Sequence, residues 1–204
     1  KLMNTGSITK RIFKFCNTLV GWIPGGLGHA NVLASIVFAG MSGSAVADAA
    51  GLGTIEIEAM SNEGFDKDFS AAITAASSTI GPIIPPSIPL IVFGVSAGNV
   101  SIAKLLIGGI LPGLLVGLTL CIMVYYFSVK RNYPKRHFPS FSEIWGDLKN
   151  AFFPLLTPII LIGGIMSGVF TPTEGAAVAS LYAFILTMIV YHEITWKDFF
   201  VILK

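Results

Sequence analysis

Gly81-Pro82-Ile83-Ile84-Pro85-Pro86-Ser87-Ile88-Pro89 interrupts an apolar stretch, Phe69 to Gly98, that is long enough to cross a membrane. A proline inside a helix removes one backbone hydrogen bond and clashes with the preceding turn, at a cost of about 3 kcal/mol. Four prolines within eight residues exclude a continuous helix. In lipid the freed main-chain groups need partners, so such a break persists only where protein or a water-filled cavity surrounds it. Main-chain oxygens at that depth suit an alkali cation, and helix N-termini suit an organic anion. The stretch points to transport. The competing reading, a kink that only packs helices, needs one proline rather than four, and Ser77, Ser78 and Thr79 add hydroxyls just ahead of the break.

The composition agrees. Of 204 residues, 53% are hydrophobic and 12% charged, and the mean hydropathy is +0.77. Soluble domains carry about 25% charged residues, so this is an all-α polytopic membrane protein. Lys1 is not a start methionine, and an internal fragment is expected. A net charge of +2 gives no support to a nucleic-acid partner. Cys16 and Cys121 form no CxxC pair and read as packing residues. His29, His137 and His192 fall at segment edges or in loops, without a second ligand at metal spacing.

Working outward from the break, residues 1–28 form a basic amphipathic helix at the interface and a linker, with Lys10, Arg11 and Lys14 among apolar residues. Residues 29–98 form the binding part: a hairpin over about 29–59 and a discontinuous helix over about 69–98. Residues 99–129 are a spanning helix, 130–150 a basic loop with an interfacial helix at Phe138–Asn150, and 151–204 further membrane helices.

Topology constrains this layout. The basic clusters at 10–14 and 130–136 should both face the cytoplasm, yet three apolar segments separate them. One segment must enter and leave on the same face. The 29–59 segment fits, because Ser42-Gly43-Ser44 can form a hairpin tip and each arm is then too short to span.

Asp48 follows that tip, and a carboxylate inside an apolar segment costs about 2.5–3.5 kcal/mol on insertion scales and is usually functional. The bland alternatives are a small-residue packing face and a carboxylate satisfied by nearby hydroxyls and amides. Glu56 and Glu58 are expected to be solvated beside the acidic loop Ser61–Asp68. Thr171-Pro172-Thr173-Glu174 reads as a capped helix start. Gly40-Met41-Ser42-Gly43 fits the GxSG pattern of rhomboid-type intramembrane serine proteases, but no histidine lies well inside an apolar segment to serve as the base.

Gly25-Gly26-Leu27-Gly28-His29, Met41–Gly51, Ser77–Pro89 and Phe170–Ala177, in this order, resemble the large membrane subunit of TRAP (tripartite ATP-independent periplasmic) transporters. The resemblance implies an elevator-type fold of two inverted repeats, with 29–59 as a re-entrant hairpin and 151–204 opening the second repeat. It implies sodium-coupled uptake of organic acids of the C4-dicarboxylate or sialic-acid type across the bacterial inner membrane. A periplasmic substrate-binding protein and a small membrane subunit would be partners. Sodium is the coupling ion and no other cofactor is implied. The resemblance places sodium at main-chain oxygens near Ser42, Gly81, Ile84 and Pro86, and puts Ser44, Asp48 and Ser87 on the substrate side. Preceding scaffold helices, a second hairpin and a second broken helix are expected outside this chain. A related anion carrier working without a binding protein is the alternative.

Overall fold

The computed structural model describes residues 8–193, and all the regular structure among them is helical. Helix α1 (Ile8–Val20) buries Ile8, Ile12, Phe13 and Cys16 on one face and exposes Lys10 and Lys14 on the other. Its apolar face packs on protein, against α2 (Gly26–Ser42) and α8 (Phe141–Met166).

The 17 residues of α2 rise about 25 Å, short of the roughly 30 Å of a hydrocarbon core. The helix stops at Gly43, whose φ of 59° is a left-handed conformation that a side chain would disfavour. The chain then reverses through α3 (Ala45–Gly51) and α4 (Gly53–Asn62), and both arms pack on α5 (Lys67–Ser78). Irregular turns lead from α5 to α6 (Ile88–Ala97), followed by α7 (Ile102–Arg131), α8 and α9 (Pro172–Ile185), which runs on into a π-helical turn at Leu186–Val190.

Among the described residues, three helices are long and apolar enough to cross a membrane: α7, α8 and Pro172–Val190. On α7, Leu111, Leu115, Leu118 and Ile122 are exposed and form a surface suited to lipid. The opposite side carries Gly109, Gly113 and Gly117. A Cβ at Gly109 would stand 2.2 Å from the Ile83 carbonyl oxygen, so glycine here lets α7 touch the main chain of the break.

The polar connections gather at one end. Arg136 N–H donates to the Gly21 carbonyl at 2.8 Å, and the Arg136 guanidinium pairs with Glu63. Arg131 meets Asp66 at 2.7 Å, and Lys14 meets Asp147 at 2.8 Å. These bonds put the end of α1, the open end of the reversing arms and the basic segment at 131–136 on the same side. Hydrogen bonds from Tyr133 and from Arg131 hold the Asp66 carboxyl below the usual carboxylate range.

Phe138–Asn150 is not a separate interfacial helix. Ser140 and Glu143 start α8 with a capping box, and the helix continues without interruption to Met166. Pro154 removes the N–H that would bond to the Asn150 carbonyl, but the Tyr191 hydroxyl donates to that carbonyl at 3.3 Å. A donor supplied from a neighbouring element lets a proline sit inside a membrane helix without breaking it.

Candidate functional site

The break is built from its prolines. After α5 the chain makes short-range turns, with Ile80 N–H donating to Ser77 at 3.0 Å and Ile83 and Ile84 both donating to the Ile80 carbonyl, at 2.9 and 3.0 Å. Helix α6 restarts at Ser87, whose hydroxyl accepts from Leu90 N–H at 3.2 Å and donates to the Pro82 carbonyl. That hydroxyl stitches the two ends of the unwound stretch together. Among the described residues, nothing donates a hydrogen bond to the carbonyls of Gly81, Ile84 or Pro86. Oxygens left in this state inside a membrane protein are what an alkali cation requires.

The turn of the hairpin closes onto the break through the main chain. Ile88 N–H donates to the Gly43 carbonyl at 3.3 Å. A Cβ at Gly43 would fall 2.0 Å from the Pro86 carbonyl oxygen, and one at Gly81 would fall 3.1 Å from the Ser44 carbonyl carbon. The Gly43 contact needs glycine, and at Gly81 a side chain would have to push the Ser44 main chain back by a few tenths of an ångström. Beside them lies a cavity of about 210 Å³, lined by Ser42 and Pro86, Ile88 of α6, Leu161 of α8, and Pro172 and Ala176 of α9. A larger hollow of about 750 Å³ lies around Asp66, Phe69 and Arg131, away from both the break and the turn.

The residues singled out in the sequence are placed as follows. Ser42 and Pro86 line the cavity. Gly81 touches Ser44, and the Ile84 side chain packs against Gly113 of α7. Ser44 caps α3 by accepting from Ala47 N–H at 3.4 Å. Ser87 is fully buried with its hydroxyl committed to Pro82 and Leu90. Asp48 stands apart: it is 1% exposed, and neither carboxylate oxygen has a hydrogen-bond partner.

Glu56 departs from expectation. It is 1% exposed rather than solvated, and its Oε1 has no partner, whereas Glu58 is exposed as expected. Its position explains this: α4 turns Glu56 inward with Met60, one turn on. His29, in the first turn of α2, is likewise buried. A polar ladder joining α2 to α5 also escaped notice. Ser35 donates to Ser77 at 3.1 Å, Ser77 to Asn31 Oδ1 at 2.7 Å, and Asn31 Nδ2 to Thr74 at 2.7 Å. The i, i+4 spacing of Asn31 and Ser35, and the i, i+8 spacing of Asp48 and Glu56, were the available signals.

Known proteins share this sequence throughout. Residues 1–204 match the family described as tripartite ATP-independent periplasmic transporter, DctM component. The chain is 51% identical over 203 residues to the sialic acid TRAP transporter large permease protein SiaM of Vibrio cholerae, covering 100% of this chain and 47% of that protein. It is 51% identical over 199 residues to the sialic acid TRAP transporter permease protein SiaT of Haemophilus influenzae, covering 98% of this chain and 32% of the relative. Identity to the C4-dicarboxylate TRAP transporter large permease protein DctM of Vibrio cholerae is 41% over 191 residues, covering 94% of this chain and 42% of the relative. The chain thus spans about half the length, or less, of the relatives it matches. It is a multi-pass membrane protein of a transport family, not an enzyme family, and it belongs to the DctM-component large permeases of TRAP transporters.

Proposed function

We propose that this chain supplies the first half of the binding site in a sodium-coupled importer of organic acids, seated in the bacterial inner membrane. Substrate would be delivered by a periplasmic binding protein, and a small membrane subunit would complete the complex. The observation that carries this reading is the contact of the Gly43 turn with an unwound, proline-rich main chain whose Gly81, Ile84 and Pro86 carbonyls accept no hydrogen bond. The two relatives at 51% identity are named for sialic acid, which favours a sialic acid over a C4-dicarboxylate as the cargo.

Sodium, carried with the substrate, is held by those three carbonyls and by Ser42. Its charge draws the turn and the break together. The amide end of α6, capped by Ser87, then offers partial positive charge to a substrate carboxylate. Ser44 presents its half-buried hydroxyl on the same side. Asp48 supports that turn by donating its N–H to the Ser44 carbonyl at 3.1 Å. Because cation and anion favour the same closed arrangement, each raises the affinity for the other by the same factor. The elevator movement follows from the family's architecture and needs the half of the permease outside this chain.

Reconstituting the full-length permease with its small subunit and binding protein in liposomes tests this. Sialic-acid uptake should stop when potassium replaces sodium and when the binding protein is left out. Uptake that continues in potassium would contradict the coupling, and uptake that continues without the binding protein would indicate a self-sufficient anion carrier.

A further inference from the structure

Asp48 and Glu56 are two acids in a hairpin with no counter-charge. None of the ion pairs among the described residues includes either one; those pairs use Glu193, Asp147, Asp66, Glu63 and Glu143. Both side chains are 1% exposed, and Asp48 Oδ1, Asp48 Oδ2 and Glu56 Oε1 are buried without a hydrogen-bond partner. Glu56 follows Asp48 by eight residues on the returning arm, and both side chains turn into the protein rather than to its surface. The two carboxyls act on each other electrostatically. Ser35 of α2 lies within polar reach of Asp48, while its hydroxyl donates to Ser77.

Two uncompensated carboxylates in this setting are strongly unfavourable, because burial strips their hydration without supplying a partner. A cation among them removes that cost and gives the three bare oxygens a partner. We propose that Asp48, Glu56 and Ser35 form a second cation site, buried behind the hairpin turn, that takes one positive charge as a sodium ion or a proton. The site is separate from the main-chain oxygens at the break. It is tied to them through the bond from Asp48 N–H to the Ser44 carbonyl at 3.1 Å and through the ladder from Ser35 to Ser77 on α5. Its occupancy therefore sets how firmly the two arms hold the first half of the broken helix.

The other titratable groups on the packed elements are few. Cys16 of α1 is near enough to Glu56 to feel its charge. His29 lies six residues before Ser35 on α2, about 9 Å away along the axis. The face of α5 toward the ladder offers Thr74, Ser77 and Ser78, all neutral, while Lys67 and Asp68 sit at its exposed start.

The test is the thermal midpoint of the full-length permease with its small subunit in detergent, which needs no substrate and no transport. Sodium is titrated against choline at constant ionic strength, and pH is varied from about 8 to about 5.5 in sodium-free buffer; a ligand that binds the folded state raises the midpoint by mass action. Glu56→Gln keeps the shape and removes the charge, and Ser42→Val alters only the site at the break. If the ion is sodium, Glu56→Gln weakens one sodium-dependent phase at least tenfold, a phase that Ser42→Val retains. If the ion is a proton, Glu56→Gln instead removes about one proton from the pH dependence, and Cys16→Ser and His29→Gln leave that change in place. A Glu56→Gln protein that folds and matches the wild type in both titrations overturns the proposal, and it leaves the reading of the break untouched.

Discussion

Ile88 N–H donates to the Gly43 carbonyl at 3.3 Å, joining the first turn of α6 to the point where the hairpin reverses. A residue freed from one helix by prolines thereby becomes the partner of a residue freed from another by a glycine. One backbone group left over by each irregularity is answered by the other, while the Gly81, Ile84 and Pro86 carbonyls of the break accept no hydrogen bond among the described residues. The same closeness sets the site, because it brings the Pro86 carbonyl against Gly43 and the Ser44 carbonyl against Gly81.

Gly43→Ala should therefore injure the site more than the fold. The added methyl lands 2.0 Å from the Pro86 carbonyl oxygen, at a φ of 59° that alanine adopts at a cost of about 1–2 kcal/mol. The turn must withdraw from the break. In the liposome assay, the sodium concentration for half-maximal uptake should rise at least tenfold, while the detergent-purified protein still unfolds cooperatively.

A pair of neighbouring glycines on α7 makes an internal control. Alanine at Gly109 meets the Ile83 carbonyl oxygen at 2.2 Å, whereas alanine at Gly108 meets nothing within 4 Å. Gly109→Ala should cost about 1–3 kcal/mol, the usual penalty of overpacking. Gly108→Ala should be neutral or slightly stabilising, since alanine is the better helix former. Their thermal midpoints, measured side by side, check this; equal midpoints would show that α7 does not press on the break.

Much of this was legible before any coordinates. The prolines at 82, 85, 86 and 89 can only be irregular backbone, and glycine between two serines at 42–44 supplies the reversal that the basic clusters at 10–14 and 130–136 require of one segment between them. What stayed hidden depends on tertiary packing. The fate of Glu56 was not visible, because whether a carboxylate near the end of an arm meets water depends on which helices cover it, and α1 and α5 cannot be positioned from local pattern. Pro154 posed the opposite difficulty. Taken locally it favours a boundary near Asn150, and only the Tyr191 hydroxyl, 41 residues away, explains why α8 runs through it.

That explanation is testable as a double-mutant cycle. Tyr191→Phe removes the donor to the Asn150 carbonyl and should cost about 1 kcal/mol in the parent protein. In a Pro154→Ala background the alanine N–H takes over the same carbonyl, so Tyr191→Phe should cost almost nothing. Additive effects in the cycle would assign the hydroxyl no such role.

The loop end gives a pH signature. Asp66 accepts from the Tyr133 hydroxyl at 2.6 Å and from Arg131 at 2.7 Å, and those bonds favour its charged form. Its folded-state value lies below the unfolded value of about 3.9. The stabilisation is thus present above about pH 4 and is lost as pH falls through the lower, folded-state value. Asp66→Asn should lower stability near neutrality, remove the acid-side slope that Asp66 contributes, and converge on the parent at the lowest pH, as chemical denaturation at a series of pH values would show.

The central claim is that a cation sits between the hairpin turn and the break. Radioactive sodium binding to the purified full-length permease and small subunit tests it most directly, with Glu56→Gln as the parent so that the second acidic site does not contribute. A Gly81→Val substitution puts a branched side chain against the Ser44 main chain, now 3.1 Å from the position of a Cβ. Saturable sodium binding is expected in the parent and at least a tenfold loss of affinity in the valine variant, about 1.4 kcal/mol, with cooperative unfolding in sodium-free buffer retained. Sodium binding of equal affinity in both proteins would contradict it.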